Sequence, residues 1–241
     1  MAKSRKLTKV ARTRAVVFDL DDTLYPEREF AFSGYEAVAG AFADRLGASA
    51  ADLAARMGEL FDTPHRRRVF NTILAEAGVV QADVDALVAE MIAAYRSHAP
   101  RIRLHPDADA ALSRLQGGCC LGLISDGPLE MQRNKVGALG LTSRLEEIIL
   151  TDEWGEEFWK PHPRAFEEMS RRLGVPPRAC IYVADNPAKD FIAPNALGWG
   201  TVFIKRPGGI YADREAPRGG LPQAAISTLD ALFSPQSTQK P

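Results

Sequence analysis

Short apolar runs bounded by turn residues alternate along this chain with longer stretches in which apolar positions recur every three or four residues. The first run, "AVVFDL" at residues 15–20, is continuously apolar up to one acid, as expected of a strand buried on both faces of a parallel sheet. From about residue 29 to residue 99 the period changes. Val84, Leu87, Val88, Met91, Ile92 and Tyr95 recur at the spacing of one helix face. Asp62-Thr63-Pro64 and Gly78-Val79 interrupt this block, which predicts three or four helices. Beyond Pro106 strands and helices alternate. "CCLGLIS", "EIILT", "ACIYVAD" and "GTVFIK" predict strands. "LEMQRNKVGALG", "PRAFEEMSRRLG" and "AKDFIAPNALG" predict helices, the second opening on proline and closing on glycine, the third broken by Pro194.

That alternation predicts an α/β fold: a doubly wound, Rossmann-like parallel sheet core with an inserted helical cap subdomain. The core takes residues 14–27 and 101–233, and the cap residues 28–100. Residues 1–13, basic with no apolar stretch behind them, and residues 234–241, poor in apolar content, are expected to be flexible tails. A phosphate- or partner-binding arm is the alternative for the first of these.

Composition narrows the class. The chain has 241 residues, 46% hydrophobic and 25% charged, with a formal net charge of −1. Such a balance gives no reason to expect nucleic acid or membrane partners, and no run approaches the roughly 18 apolar residues of a membrane helix. Three cysteines, Cys119, Cys120 and Cys180, make a poor disulfide framework and lie in or beside apolar runs. Buried free thiols and a reducing, cytoplasmic setting are expected. His65, His98, His105 and His162 have no metal-ligand spacing.

Candidate chemistry collects at strand ends. Asp19, Asp21 and Asp22 fall within four positions, where like charges repel and the adjoining core makes each harder to ionise. Open parallel sheets bind ligands at the carboxyl ends of their strands. Polar residues stand at those points here: Asp19 to Thr23; Ser125, Asp126 and Gly127; Lys160 in the loop before "PRAFEEM"; Asp185 and Asn186, with Asp190 a turn later. Asp19 and Asp21 point the same way if the extended geometry persists. Joined by Asp185, they would form a nest of hard oxygens, unfavourable empty and favourable around Mg²⁺. For the acids taken alone, a helix cap or solvated turn is the alternative.

These four clusters, in this order on these elements, resemble the haloacid dehalogenase superfamily of aspartate-nucleophile phosphatases and phosphomutases. "DLDDT" matches the first signature, D-x-D-x-T; Ser125 after an apolar strand matches the second; Lys160 in "WKPHP" the third; "VADNPAKD" the fourth. The helical insert corresponds to the type-one cap of that family. The resemblance implies that Asp19 is the nucleophile and becomes an aspartyl phosphate. Asp21 would protonate the leaving alcohol and then activate water, its carbonyl also facing the metal. Asp185 would ligate Mg²⁺ beside Asp19 and Asp21, with Asn186 behind the ligands and Asp190 either acting there too or orienting Lys160. Thr23, Ser125, the N–H groups of Asp126 and Gly127, and Lys160 would hold the phosphoryl oxygens. Dehalogenases of this family lack an acid at the position of Asp21, so its presence implies phosphoryl transfer. Two positions depart from the pattern: Ala184 stands where glycine is usual, and Asp126 where asparagine is. The Asp126 carboxylate is expected to point away from the phosphate.

The implied activity is Mg²⁺-dependent hydrolysis of a small phosphomonoester, a sugar phosphate or nucleotide-like metabolite, by a monomer or homodimer. A phosphomutase of the beta-phosphoglucomutase type and a non-catalytic metabolite-binding module are the alternatives. Around this centre the bland reading is favoured for most residues. Arg66, Arg67 and Arg68 read as a solvated face before a substrate clamp. Arg96, His98 and Arg101 read as a hinge, and Trp154, Phe158 and Trp159 as packing. Tyr25 and Glu27 are close enough in sequence to touch the leaving group. Gln132 and Lys135 stay outside the expected site.

Overall fold

The computed structural model describes residues 13–233; the expectations for the basic lead-in and the polar tail fall mostly outside that range. Six strands form one parallel sheet: β1 (Ala15–Phe18), β2 (Cys120–Ser125), β3 (Glu147–Leu150), β4 (Cys180–Ala184), β5 (Gly200–Ile204) and β6 (Ala224–Ile226). Their spatial order is β3-β2-β1-β4-β5-β6. The chain winds outward from β1 on one side and from β4 on the other, so the strand order reverses between β1 and β4. Alternation of side chains explains why β1 is apolar throughout. Val16 and Phe18 enter one core layer with Leu121, Leu123, Val183 and Val202. Ala15 and Val17 enter the other with Tyr182, Phe166 and Trp199.

Four helices lie between β1 and β2: α1 (Glu27–Leu46), α2 (Ala50–Phe61), α3 (Val69–Glu76) and α4 (Gln81–Ser97). They share a third core of their own, including Tyr35, Val38, Phe42, Met57, Leu60, Ile73 and Met91. The breaks fall at the residues expected. Thr63 caps a short 3-10 turn at Pro64–Arg68, and Gly78 takes a left-handed φ of 69°. Helices α5 (Pro106–Leu115), α6 (Leu129–Ala138), α7 (Arg164–Arg172) and α8 (Ile192–Leu197) complete the core.

Two expectations change. Pro194 does not break its helix: α8 begins only at Ile192, so the proline sits in the first turn, where no intrahelical N–H partner is needed. Strand β6 had no signal, being three residues at the sheet edge without a buried run. All three cysteines are free. Among the described residues no helix is long and apolar enough to cross a membrane.

Candidate active site

Strand order places Asp19 and Asp185 side by side. Each follows the last residue of its strand, Phe18 pairs with Val183, and Asp19 N donates to the Val183 carbonyl at 2.9 Å. They therefore flank the point where the sheet reverses, the usual ligand crevice of such folds. Lys160 is the centre of the cluster. Its ammonium, closed off from solvent, donates to Asp19 Oδ1 and, at 2.9 Å, to the Tyr182 hydroxyl. Asp190 Oδ1 lies 2.9 Å away as a charge contact without hydrogen-bond alignment. Burial works against the lysine charge, but Asp19 and Asp190 outweigh it and hold its pKa well above the ordinary value. Burial also pushes Asp19 up to about 7, against the pull of Lys160.

Asp21 departs from the expected nest. The chain bends at Leu20, Asp21 bridges to Tyr25, and Asp22 takes a left-handed φ of 49°. Extended geometry thus ends one residue after Asp19, and the two carboxylates take different partners. Asp21 Oδ1 accepts from Lys135 Nζ at 2.7 Å and from the Tyr25 hydroxyl, and Oδ2 accepts from Gln132 Nε2 at 3.3 Å. Burial raises its pKa, but these donors, Lys135 first, bring it below the usual carboxylate value. Asp22 is an anchor: it accepts from Glu27 N at 2.8 Å, at the start of α1, and from Ile210 N at 3.0 Å.

The remaining expected residues gather at the same edge. Ser125 ends β2 and is buried. Asp126 turns its carboxylate away, accepting from Thr151 Oγ1 at 2.9 Å, Lys160 N at 3.2 Å and Lys189 Nζ at 2.6 Å. Two lysines beside it overcome burial and lower its pKa. Gly127 has φ 126°, and a Cβ there would meet Gln132 Nε2 at 2.6 Å. Thr23 Oγ1 is buried with no partner among the described residues, while its carbonyl binds Arg206. Asn186 Oδ1 accepts from Ala188 N, and Asn186 N donates to Asp190 Oδ2 at 3.0 Å.

Gln132, Lys135 and Lys189 were outside the expected site. Their signal was faint: Gln132 and Lys135 are three apart and so share one face of α6, and Lys189 lies within "VADNPAKD". Among the cap candidates, Arg66 is half-buried, 3.1 Å from Glu27 and 4.3 Å over the Phe61 ring, while Arg67 and Arg68 are exposed. His98 is buried against the Phe30 ring, with Nδ1 at 2.6 Å from the Tyr95 carbonyl. Trp154 and Phe158 pack on Arg164, and Trp159 donates to Asp152.

A cation fits this edge. Asp185 Oδ2 is buried with no partner among the described residues. Burial, then Asp19 and Asp190, hold the Asp185 pKa well above the carboxylate range. The donor set is all oxygen, which suits Mg²⁺ rather than a softer ion. Among the described residues no three His, Cys, Asp or Glu side chains form a ready metal cage; the Asp21 carboxylate is taken up by Lys135, Tyr25 and Gln132, which leaves the carboxylates of Asp19 and Asp185 and the Asp21 carbonyl as the candidate oxygens. That smaller set suits an ion that retains several waters.

The family model for haloacid dehalogenase-like hydrolases matches residues 13–198. The glyceraldehyde 3-phosphate phosphatase of Methanopyrus kandleri is 33% identical over 211 residues, covering 84% of this chain and 87% of that protein. A HAD-superfamily hydrolase of subfamily IA from Geobacter sulfurreducens PCA shares the fold, with TM-score 0.66 at 19% identity over 92% of this chain and 95% of its own. A 2-haloacid dehalogenase from Pseudomonas syringae pv. Tomato DC3000 superposes with TM-score 0.60 at 26% identity, over 91% and 96% of the two chains.

Proposed function

Because the chain belongs to the haloacid dehalogenase-like hydrolases, we propose that it hydrolyses a small phosphomonoester through an aspartyl-phosphate intermediate, with Mg²⁺ as cofactor. The observation that carries this reading is the Asp19–Lys160 ion pair beside Asp185, whose Oδ2 is buried without a partner among the described residues, at the β1–β4 reversal point. Asp19, Asp185 and the Asp21 carbonyl would hold the cation, whose charge offsets the repulsion between an anionic carboxylate and an anionic phosphoryl group.

Asp19 attacks phosphorus, and the bond from phosphorus to the alcohol oxygen breaks. Lys160, fixed by Asp190, neutralises charge between Asp19 and the phosphoryl oxygens. Ser125 and the N–H groups of Asp126 and Gly127 take those oxygens. The Asp126 carboxylate does not oppose them, being held by Thr151 and Lys189. Asp21 gives the leaving alkoxide its proton and later takes one from the water that cleaves the acyl phosphate. Its three donors favour the anion that the second step needs. The proton that Asp21 takes from that water is the one it gives to the alkoxide of the next turnover, and Lys135 Nζ at 2.7 Å holds the carboxylate in place between the two steps.

The likeness to a dehalogenase supports the fold and the nucleophile. Asp21, with a dedicated set of partners, favours an alkoxide leaving group, which needs a proton where halide does not. The test is hydrolysis of 4-nitrophenyl phosphate with and without Mg²⁺, beside Asp19→Asn. Metal-dependent turnover lost in the variant supports the reading; its absence in the wild type on this ester and on a metabolite panel returns the protein to a binding role. With a sugar monophosphate, free phosphate indicates hydrolysis and an isomeric sugar phosphate a mutase.

A further inference from the structure

The loop after β5, residues 205–214, lies beyond the residues that the family model matches, yet it is tied to the site at several points. Arg206 donates from Nε and Nη2 to the Thr23 carbonyl at 3.2 and 2.8 Å, and from Nη1 to Asp107 Oδ2 at 3.0 Å. Ile210 N donates to Asp22 Oδ2 at 3.0 Å, and the Ile210 side chain packs on the apolar core of the cap. Thr23 stands on the outgoing connection from core to cap, and Asp107 in the first turn of α5, just after the chain returns to the core. The loop is thus fastened to the acidic turn after β1, to the start of α5 and to the cap itself.

This anchoring presents Tyr211, the residue after Ile210. Its ring is half-buried, and its hydroxyl has no hydrogen-bond partner among the described residues. Its neighbour Ile210 is hydrogen-bonded to Asp22 in the acidic turn after β1 and packed on the cap core, so Tyr211 stands where that turn meets the cap. Burial, reinforced by Glu27, raises its pKa, so it remains a neutral donor. A half-buried donor without a protein partner has its bonding capacity left for a ligand or for water. The phosphoryl oxygens already have Lys160, Ser125 and the backbone groups of Asp126 and Gly127. What is left for Tyr211 is the alcohol portion of the ester.

We propose that Tyr211 determines specificity by donating a hydrogen bond to a hydroxyl or carbonyl oxygen on the leaving group of a small oxygenated phosphomonoester, the loop 205–214 being the wall that carries it. The inference rests on the phosphatase reading. Its test compares wild type with Tyr211→Phe, which keeps the ring, using Mg²⁺ and two primary-alcohol esters, glycerol 3-phosphate and ethyl phosphate. Loss of one such hydrogen bond lowers the ratio of kcat/KM for glycerol phosphate over ethyl phosphate by about tenfold, mainly through KM. An unchanged ratio alongside intact wild-type turnover overturns the inference alone. Absence of metal-dependent turnover by the wild type on either ester and on the metabolite panel overturns the phosphatase reading and this inference with it.

Discussion

A lysine ammonium sealed from water is tolerable only when carboxylates surround it, and Lys160 has two, Asp19 and Asp190. Lys160→Met therefore damages two things at once. Turnover of an aryl phosphate falls by about 10²–10³-fold or more, because charge on the transferring group is no longer offset. Stability in urea falls by about 3 kcal/mol, the low end for a broken buried pair, because Asp19, already near neutrality, can take a proton instead. A variant with full activity would show that the lysine is only structural support. Asp185→Asn separates function from stability in the other direction. The wild-type carboxylate is buried with an unpartnered oxygen among like charges, so the metal-free variant should melt at a higher temperature than metal-free wild type. On the proposed metal site, millimolar Mg²⁺ should raise the melting temperature of the wild type, and the variant should lack that shift. Thermal melts of both proteins, with EDTA and with Mg²⁺, check this.

At the scale of elements, α6 is a tool as well as a support. Gln132 and Lys135 stand on one face of it and both reach Asp21, and Lys135 also lies 4.4 Å over the Phe30 ring of α1. In the proposed mechanism Lys135 acts on the proton-carrying acid rather than on bound ester, so Lys135→Met should lower kcat by about 10–10²-fold while changing KM little. Steady-state kinetics on one good substrate decide it; an equal loss in KM would assign Lys135 to binding. The cap helices hold together by their own core, so damage there should stay local. Ser49 caps α2 by accepting from Asp52 N at 3.1 Å. Ser49→Ala should cost about 1 kcal/mol, read as faster hydrogen exchange in α1 and α2 with the sheet protected as before.

At the scale of the whole molecule, the junction between cap and core gives stability a pH dependence. His105, at the start of α5, has a pKa lowered to about 4 by burial and then by Arg206. A base depressed in the folded state contributes stability above its unfolded pKa of about 6.5 and loses it as pH falls towards 4. The raised carboxyls of Asp19 and Glu27 act in the opposite sense over this window, so the His105 part is read as a difference: the urea midpoint of wild type minus that of His105→Gln should fall between pH 6.5 and 4. The sequence alone was enough for the alternation of strands and helices, the helical insert with its breaks at Pro64 and Gly78, and the polar strand ends. These depend on local chemistry, since period, turn residues and charge placed after an apolar run are written in neighbouring positions. Only tertiary structure decided how the acids divide. Asp19 and Asp21 look equivalent two residues apart, but the bend at Leu20 and the left-handed Asp22 send one to Lys160 and the other to α6. Gln132, Lys135 and Lys189 reach acids at this edge from segments whose own sequence is unremarkable for surface helices and loops, and the loop 205–214 is tied to the turn after β1 in the same way. Their roles come from the long-range contacts that bring separate elements to one sheet edge, and no local pattern encodes such a contact.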